Sequence, residues 1–478
     1  MNFAMIITVL GWVSCFNAAF QLLPALVGLI YQEQAAWSFL ISAAGSLVLG
    51  LLLLIRKPKS KALYAREGFV IVSLSWILMS LLGALPLFLC GAIPSYVDAL
   101  FEAASGYTTT GASIVPVVEE LPNCCLFWRS FMHWIGGMGV LVFIMAFIPL
   151  SGAGNMNLMR AESPGPMVGK LVPRVKTTAF LLYAMYFGLT FLQFICLIIA
   201  KMPVFDAINT AFATAGTGGF GFKNDSMASY STAIQVIITV FMILFGVNFN
   251  FYFLLLYKRF KDALHISEVW VYFGVILTSV VLITWNISQM YDSLGIALRD
   301  AAFSVGSVIT TTGFATADFN QWPQLSKMIL LLLMFIGACA GSTGGGIKVS
   351  RFIIMFKTML KEIGLQTHPK RVKKIKMDGH EISHETIRAM NNYLIAYFVI
   401  YALSVLLLSI EGYDFTTNFS AIAATLNNIG PGLELVGPTG NFAFFSDLSK
   451  LVMTFDMIAG RLELFPMLVL FSPATWKK

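Results

Sequence analysis

The sequence predicts an all-α polytopic membrane protein. It has two N-terminal spans followed by four span–re-entrant–span units. Three observations predict this. Of 478 residues, 58% are hydrophobic and only 12% are charged, against about 25% charged in soluble domains; mean hydropathy is +0.79. Ten apolar runs come near or above the roughly 20 residues that cross a bilayer. Four short segments between those runs share one pattern, each placing a glycine thirteen residues after its first residue.

The apolar runs fall near 3–30, 36–55, 68–91, 126–150, 178–200, 232–257, 268–290, 325–357, 390–410 and 448–473. The first begins at Met1 without a basic stretch before it, so it reads as a retained helix and not a cleaved signal. Ten spans put both termini on one side, and the distribution of Lys and Arg says which. Arg56, Lys57, Lys59, Lys61 and Arg66 follow the second span; Arg160, Lys170, Arg174 and Lys176 the fourth; Lys258, Arg259 and Lys261 the sixth. The eighth is followed by Lys348, Arg351, Lys357, Lys361, Lys370, Arg371, Lys373, Lys374, Lys376 and Arg388, and the tail ends in Lys477 and Lys478. Only Arg129, Lys201, Lys223, Arg299, Lys327, Lys450 and Arg461 of the 31 basic residues lie elsewhere. The net charge of +7 therefore reports topology, with cytoplasmic termini, and nucleic acid need not be invoked.

The opposite segments are acidic: Asp98, Glu102, Glu119, Glu120, Asp206, Asp225, Asp292, Asp300, Asp318, Glu411, Asp414 and Glu434. They fit either a solvated outer face or a funnel that concentrates cations. The same segments carry the repeat: DALFEAASGYTTTG from Asp98, DAINTAFATAGTGG from Asp206, DAAFSVGSVITTTG from Asp300 and TNFSAIAATLNNIG from Thr417. Each is too short to span and suits a re-entrant helix that begins near an Asp cap. The domains expected are 1–61 (two extra helices), then units at 62–176, 177–262, 263–377 with an intramembrane loop at 337–346, and 378–478.

A Thr/Gly turn at membrane depth offers backbone carbonyls and little else, an inventory suited to a dehydrated cation. The candidate ion-binding stretches are Thr108, Thr109, Thr110 and Gly111; Gly216, Thr217, Gly218 and Gly219; Thr310, Thr311, Thr312 and Gly313; and Asn427, Asn428, Ile429 and Gly430. The fourth has Asn where the first and third have Thr, so a four-fold symmetric site is not expected. Glycines 341, 344, 345 and 346 interrupt the eighth span; they suit either close helix packing or an unwound loop that blocks and clears a path. Arg461 falls in the middle of the last span, where an Arg costs about 2.5–3.5 kcal/mol. It suits a charge facing a pore, or a pair with Asp456 or Glu463.

Gly216–Gly221 matches GxGxxG, but a membrane repeat replaces the βαβ context that a dinucleotide site needs. Gly341–Lys348 fails the phosphate-loop template, since Ile347 precedes the Lys and Val349 follows it. His133 reads as packed and neutral. The cysteines, at 15, 90, 124, 125, 196 and 339, show no metal or redox spacing. The basic stretch 358–388 is either a lipid anchor or a docking surface.

TTTGAS at 108–113, TTTGFAT at 310–316, FIGACAGSTGGGIKVSR at 335–351 and AGRLE at 459–463 resemble the Trk/Ktr/HKT superfamily of potassium transporters. The two extra N-terminal spans make the chain most similar to the membrane subunit of bacterial Trk systems. The resemblance implies four membrane–pore-helix–membrane repeats around one central pore, and a homodimer in the bacterial inner membrane. It makes the four stretches above a potassium selectivity filter centred on Gly111, Gly219, Gly313 and Gly430, where glycine at all four positions resembles potassium-selective members. It makes Gly337, Gly341, Gly344, Gly345, Gly346 and Lys348 a gating loop, and Arg461 a pore-facing charge below the filter. The ion is K+, with no organic cofactor on this chain. The partner implied is a cytosolic nucleotide-binding RCK-type regulatory subunit (TrkA-like), beside membrane lipid. The chain is expected not to be an enzyme, as no convergent His/Asp/Ser set occurs. The alternative is a proton- or sodium-coupled potassium symporter of the same fold, for which only Asp456 and Glu463 supply a midplane carboxylate.

Overall fold

The structure, a computed structural model, describes residues 1–55, 58, 63–139, 175–368 and 374–477. The basic residues Arg56, Lys57, Lys59, Lys61, Arg160, Lys170, Arg174, Lys370, Arg371, Lys373 and Lys478, and the end of the fourth expected span, lie outside the described residues.

Helices α1 (Phe3–Ile30) and α2 (Ala35–Leu54) form a hairpin. Small residues let them approach closely: a Cβ on Gly50 would stand 2.9 Å from the Gly11 carbonyl, a contact typical of membrane helices. Gln21 of α1 donates to the Leu82 carbonyl at 3.0 Å, which ties the hairpin to the first repeat. Glu33, in the hairpin turn, accepts from the backbone N–H groups of Asn123 and Cys124 at 2.7 and 3.0 Å. An acid there satisfies the unpaired first turn of the helix it faces.

Each repeat has a long first helix, a short helix and a second helix. The first repeat is α3 (Ala65–Leu89), α4 (Tyr96–Tyr107) and α5 (Asn123–Gly137). The second is α6 (Val175–Ile199), α7 (Val204–Ala215), α8 (Thr232–Phe245) and α9 (Phe249–Leu256). The third is α10 (Ser267–Ile287), α11 (Leu294–Ile309), α12 (Gln324–Ile336) and α13 (Val349–Thr367). The fourth is α14 (His384–Leu408), α15 (Phe415–Leu426), α16 (Asp447–Arg461) and α17 (Phe465–Phe471). Together these make a helical membrane fold. Its outer helices expose large apolar side chains such as Leu26, Trp37, Leu52, Phe180, Leu277 and Ile395, as lipid contact requires.

Ten spans were expected, the eighth interrupted by glycines, but only six described helices are long and apolar enough to cross: α1, α2 and the first helix of each repeat. In the second, third and fourth repeats the second helix is broken. α8 and α9 meet at 90°, where Gly246 and the capping side chain of Asn248 end one helix and start the next. The eighth run breaks over 337–348, and the tenth at Leu462–Leu464, with Glu463 and Leu464 at φ 55° and 70°. Arg461 is thus the last residue of α16 and not the middle of a span. Non-helical backbone at such depth is tolerated only where protein or a watery cavity covers it.

The expected Asp caps also shift. The short helices start earlier, capped by Ser95, Ser293 and Asp414, with Pro203 before α7. Asp98 instead meets Lys450 at 2.6 Å, Asp206 accepts from the Tyr230 hydroxyl at 2.8 Å, and Asp300 pairs with Arg299 at 2.9 Å. Hydrogen bonding has one consequence at Asp414: burial pushes its carboxyl up, but bonds from the Thr417 hydroxyl and backbone outweigh this and hold it below its ordinary value.

The second helix of each repeat packs on the short helix of the next: α5 on α7, α8 on α11, α12 on α15, and α16 back on α4. The order closes on itself, so the four short helices surround one axis. Beyond α13 the basic stretch contains a two-stranded hairpin, Lys376–Met377 with His380–Glu381. Asp378 at its turn accepts from the Ser267 hydroxyl and backbone N–H.

Candidate functional site

The four short helices end the same way. The first residue after each helix donates its N–H four residues back: Thr108 to Ala104, Gly216 to Phe212, Thr310 to Gly306 and Asn427 to Ala423. The second donates three back and the third five back; Thr110 to Ser105 at 2.9 Å has equivalents from Gly218, Thr312 and Ile429 at 2.8 Å. This is a Schellman ending, whose left-handed residue is usually Gly and sometimes Asn. Here it is Thr109, Thr217, Thr311 or Asn428, at φ 55–58°. A β-branched residue in that region is strained, by about 1–3 kcal/mol. Three N–H groups per turn face the helix, so the planar peptides aim their carbonyls the other way.

The fourth residue of each stretch explains the shared glycine. Gly111, Gly219, Gly313 and Gly430 have φ of 80°, 78°, 86° and 98°. A Cβ on Gly111 would lie 2.0 Å from the Gly218 carbonyl, on Gly219 2.0 Å from that of Thr312, and on Gly313 2.1 Å from that of Ile429. On Gly430 it would lie 2.8 Å from that of Thr110. Each glycine therefore abuts the third-position carbonyl of the following repeat, and the fourth returns to the first. In the second repeat Gly219, not Gly218, occupies the glycine position, and Gly218 supplies the ring carbonyl.

The Asn-bearing fourth stretch fits this ring by a different set of bonds. Asn427 donates back to the Ala423 carbonyl at 2.9 Å, as the hydroxyls of Thr108 and Thr310 do to Ala104 and Gly306 at 2.6 Å. Its side-chain oxygen accepts from the Tyr397 hydroxyl at 2.9 Å. Asn428 donates to Thr110 Oγ1 at 2.9 Å and to the Met457 carbonyl at 2.8 Å. It thus joins the last repeat to the first.

Buried polar groups brace the ring from behind. Glu102 and Asp300, counted with an acidic outer face in the sequence, are 0% and 3% exposed. Glu102 accepts from Arg129 Nε at 2.7 Å, from Ser113 Oγ and from the Ile114 N–H at 3.0 Å. Arg129 also donates to the Gly221 carbonyl and lies over the Phe220 ring, 4.0 Å from its centroid. One ion pair therefore holds the segments that leave both the first and second stretches. His133 Nε2 accepts from the Phe220 N–H at 3.3 Å, so its Nδ1 donates to the Gly106 carbonyl at 2.7 Å. This is the neutral, packed ring expected, but it is wedged between two stretches: a Cβ on Gly218 would meet it at 2.2 Å.

Below the ring lies the Gly-rich loop. Gly345 donates its N–H to Thr311 Oγ1 at 2.6 Å, and Gly346 to the Asn427 carbonyl at 3.1 Å. A Cβ on Gly344 would stand 2.9 Å from the Thr310 carbonyl, and on Gly345 2.4 Å from that of Asn427. Gly337, Gly341 and Gly346 have φ of 71–74°, and the Lys348 ammonium donates to the Gly344 carbonyl. Arg461 crosses from the fourth repeat to this loop. It donates to the Thr343 carbonyl at 2.8 Å and to the Gly136 and Gly137 carbonyls, both at 2.7 Å. The acids offered as its partners are engaged with other residues: Glu463 pairs with Arg351, and Asp456 accepts from Ser404 at 2.9 Å.

The structure thus brings together the four stretches, the loop residues and Arg461, all named from sequence. Sequence reasoning missed the braces. Arg129 was counted among stray outer basic residues and Glu102 among outer acids, although opposite charges 27 positions apart in apolar surroundings were the available signal. Among the described residues no cluster of three or more His, Cys, Asp or Glu side chains is placed to hold a metal ion. The site's chemistry is that of backbone carbonyls, a glycine-rich loop and two cationic side chains, Lys348 and Arg461.

Comparison with known proteins supplies the family. A family model described as TrkH, cation transport protein, matches residues 38–478. The chain is 38% identical over its full length to the full-length "Trk system potassium uptake protein TrkH" of Salmonella typhimurium, and 37% identical, again with full coverage of both, to that of Escherichia coli. The crystal structure of the potassium transporter TrkH from Vibrio parahaemolyticus superimposes with a TM-score of 0.91 at 32% identity, covering 100% of both chains. The relatives are named as transport proteins and not enzymes. The chain belongs to the TrkH family of cation transport proteins.

Proposed function

We propose that the chain carries potassium into a bacterial cell across the inner membrane, through the axis surrounded by the four turns. The observation that carries this reading is the closed sequence of glycine-to-carbonyl contacts, 111 to 218, 219 to 312, 313 to 429 and 430 to 110. Carbonyls of 108–111, 216–219, 310–313 and 427–430 replace the ion's hydration shell. Each short helix ends at its turn, so four negative dipole ends bear on the same point. Potassium is the cargo in the names of the relatives.

In this reading the loop 337–346 and Arg461 form the barrier beneath the filter. The loop abuts the Thr310 and Asn427 carbonyls, and the guanidinium places a fixed positive charge against passing cations. A soluble nucleotide-binding regulatory subunit on the cytoplasmic side moves the loop, and two copies of the chain form a homodimer. The basic segments face the cytoplasm, with both termini. The coupled alternative rests on Asp456, whose second oxygen has no hydrogen-bond partner. Expression in a strain that lacks its own potassium uptake tests the proposal. Growth at low potassium supports it; no rescue, with the protein shown in the membrane, overturns it.

A further inference from the structure

The loop of the third repeat sits on the elbow of the second. α8 stops at Phe245, and the chain turns 90° into α9. This leaves the last carbonyls of α8 without helical donors, and the loop supplies donors. Cys339 N–H bonds to the Gly246 carbonyl at 3.0 Å, and Thr343 Oγ1 to that of Phe245 at 3.2 Å. In return, the Phe249 N–H that opens α9 donates to the Gly341 carbonyl at 3.0 Å.

One side chain ties loop and elbow together. Glu268, the second residue of α10, is 3% exposed. Its Oε1 accepts from the Ala340 N–H at 2.7 Å and from the Ser350 N–H at 3.0 Å; its Oε2 faces Asn248 Nδ2 at 3.5 Å. Ala340 lies within the loop and Ser350 in the first turn of α13 beyond it, so a single oxygen ties the loop to the helix that follows. Asn248 belongs to the elbow itself. A carboxylate buried in a membrane segment is costly and usually functional, and N–H bonds to a charged oxygen are the stronger kind. None of these bonds touches the four turns.

We propose that Glu268, with Asn248, is the latch that keeps the intramembrane loop seated beneath the ring. It is a positioning residue: it acts on the pathway only through the loop. The proposal rests on the reading of the loop as the gate. For the loop to leave, the N–H groups of Ala340 and Ser350 must part from the same oxygen, so the strength of this contact sets how often the path is clear.

The test is basal cation flux through the purified full-length protein in liposomes, without any soluble subunit. Glu268→Ala should raise basal K+ flux about tenfold, the factor expected for losing roughly one net hydrogen bond's worth of closure. Glu268→Gln retains an acceptor oxygen but not the charge, and should fall between the parent flux and that of the Ala variant. Asn248→Ala, which removes the contact with Glu268 together with the cap of α9, should raise flux by a smaller factor. The K+/Na+ ratio should stay constant in all three. A folded Glu268→Ala protein with unchanged flux overturns the latch, as does a changed ion ratio or a Gln variant that leaks as much as the Ala variant. If Glu268→Ala does not fold, unchanged flux in Asn248→Ala overturns it. Gly345→Ala separates the two levels: its Cβ would meet the Asn427 carbonyl at 2.4 Å and displace the loop directly. If it changes flux while the latch variants do not, only the latch falls; if it too is without effect, the gate reading falls.

Discussion

Asn428 Nδ2 donates to Thr110 Oγ1 at 2.9 Å, a bond between residues 318 apart in sequence. It joins the turn of the last repeat to the turn of the first, beside the contact of Gly430 with the Thr110 carbonyl. Asn departs from the Thr pattern of the other turns, yet it tolerates the left-handed backbone that the turn imposes better than Thr does.

Two substitutions at Asn428 separate its roles. Asn428→Gly keeps the left-handed residue but removes both side-chain bonds, leaving the buried Met457 carbonyl without this donor. It should fold, lose about 1–3 kcal/mol of stability, and show a lower K+/Na+ permeability ratio. Asn428→Ala adds backbone strain at φ 57° and should be less stable than the Gly variant. Thermal unfolding in detergent and bi-ionic permeability measure the two effects; parent-like selectivity in Asn428→Gly contradicts the role given to the bond.

Gly313→Ser places a Cβ against the Ile429 carbonyl, at a backbone φ of 86° that side chains avoid. The carbonyl must shift, and the spacing of the ring with it. The expected outcome is a reduced K+/Na+ permeability ratio. Unchanged selectivity counts against Gly313 as part of the filter.

Arg461→Ala removes a positive charge and three bonds to backbone carbonyls. Cation flux should rise severalfold, with Arg461→Lys intermediate, since an ammonium keeps the charge but not the planar fork. Flux at the parent level together with impaired folding makes Arg461 purely structural.

Arg129→Met leaves Glu102 buried beside Ser113 without its cation. Removing one partner of a buried pair costs about 3–5 kcal/mol. The melting temperature should fall, and the K+/Na+ ratio should fall with it, because the pair holds the segments that follow two of the four turns. A lower melting temperature with unchanged selectivity places the brace in folding alone.

The four turns were legible in sequence because a short-range constraint repeats. A helix end, a left-handed residue and a glycine with no room for a Cβ recur at one spacing, and the Gly-rich loop announces itself by composition. The long-range partners were not legible. Periodicity marks Arg129, Glu102 and Glu268 only as charges near span ends, and the choice of partner depends on how α4, α5 and the loop meet in space. The second spans of the second and fourth repeats read as continuous for a related reason. Apolar composition persists through both breaks: at 246–248 the backbone bonds to the loop of the third repeat, and at 462–464 the chain turns back on its own helix, Leu464 donating to the Ala459 carbonyl at 2.8 Å. The repeat marked the four short helices correctly, three by Asp-Ala and the fourth from Thr417, but Ser95, Ser293 and Asp414 do the capping, a few residues earlier.

The central claim is that the four turns form one potassium-selective path. The most direct test is the reversal potential of the purified protein in a planar bilayer, with potassium on one side and sodium on the other. A potential that follows the potassium gradient, and is insensitive to a pH gradient, is the predicted result. A potential near zero under those ions, or one that moves with the pH gradient, contradicts it.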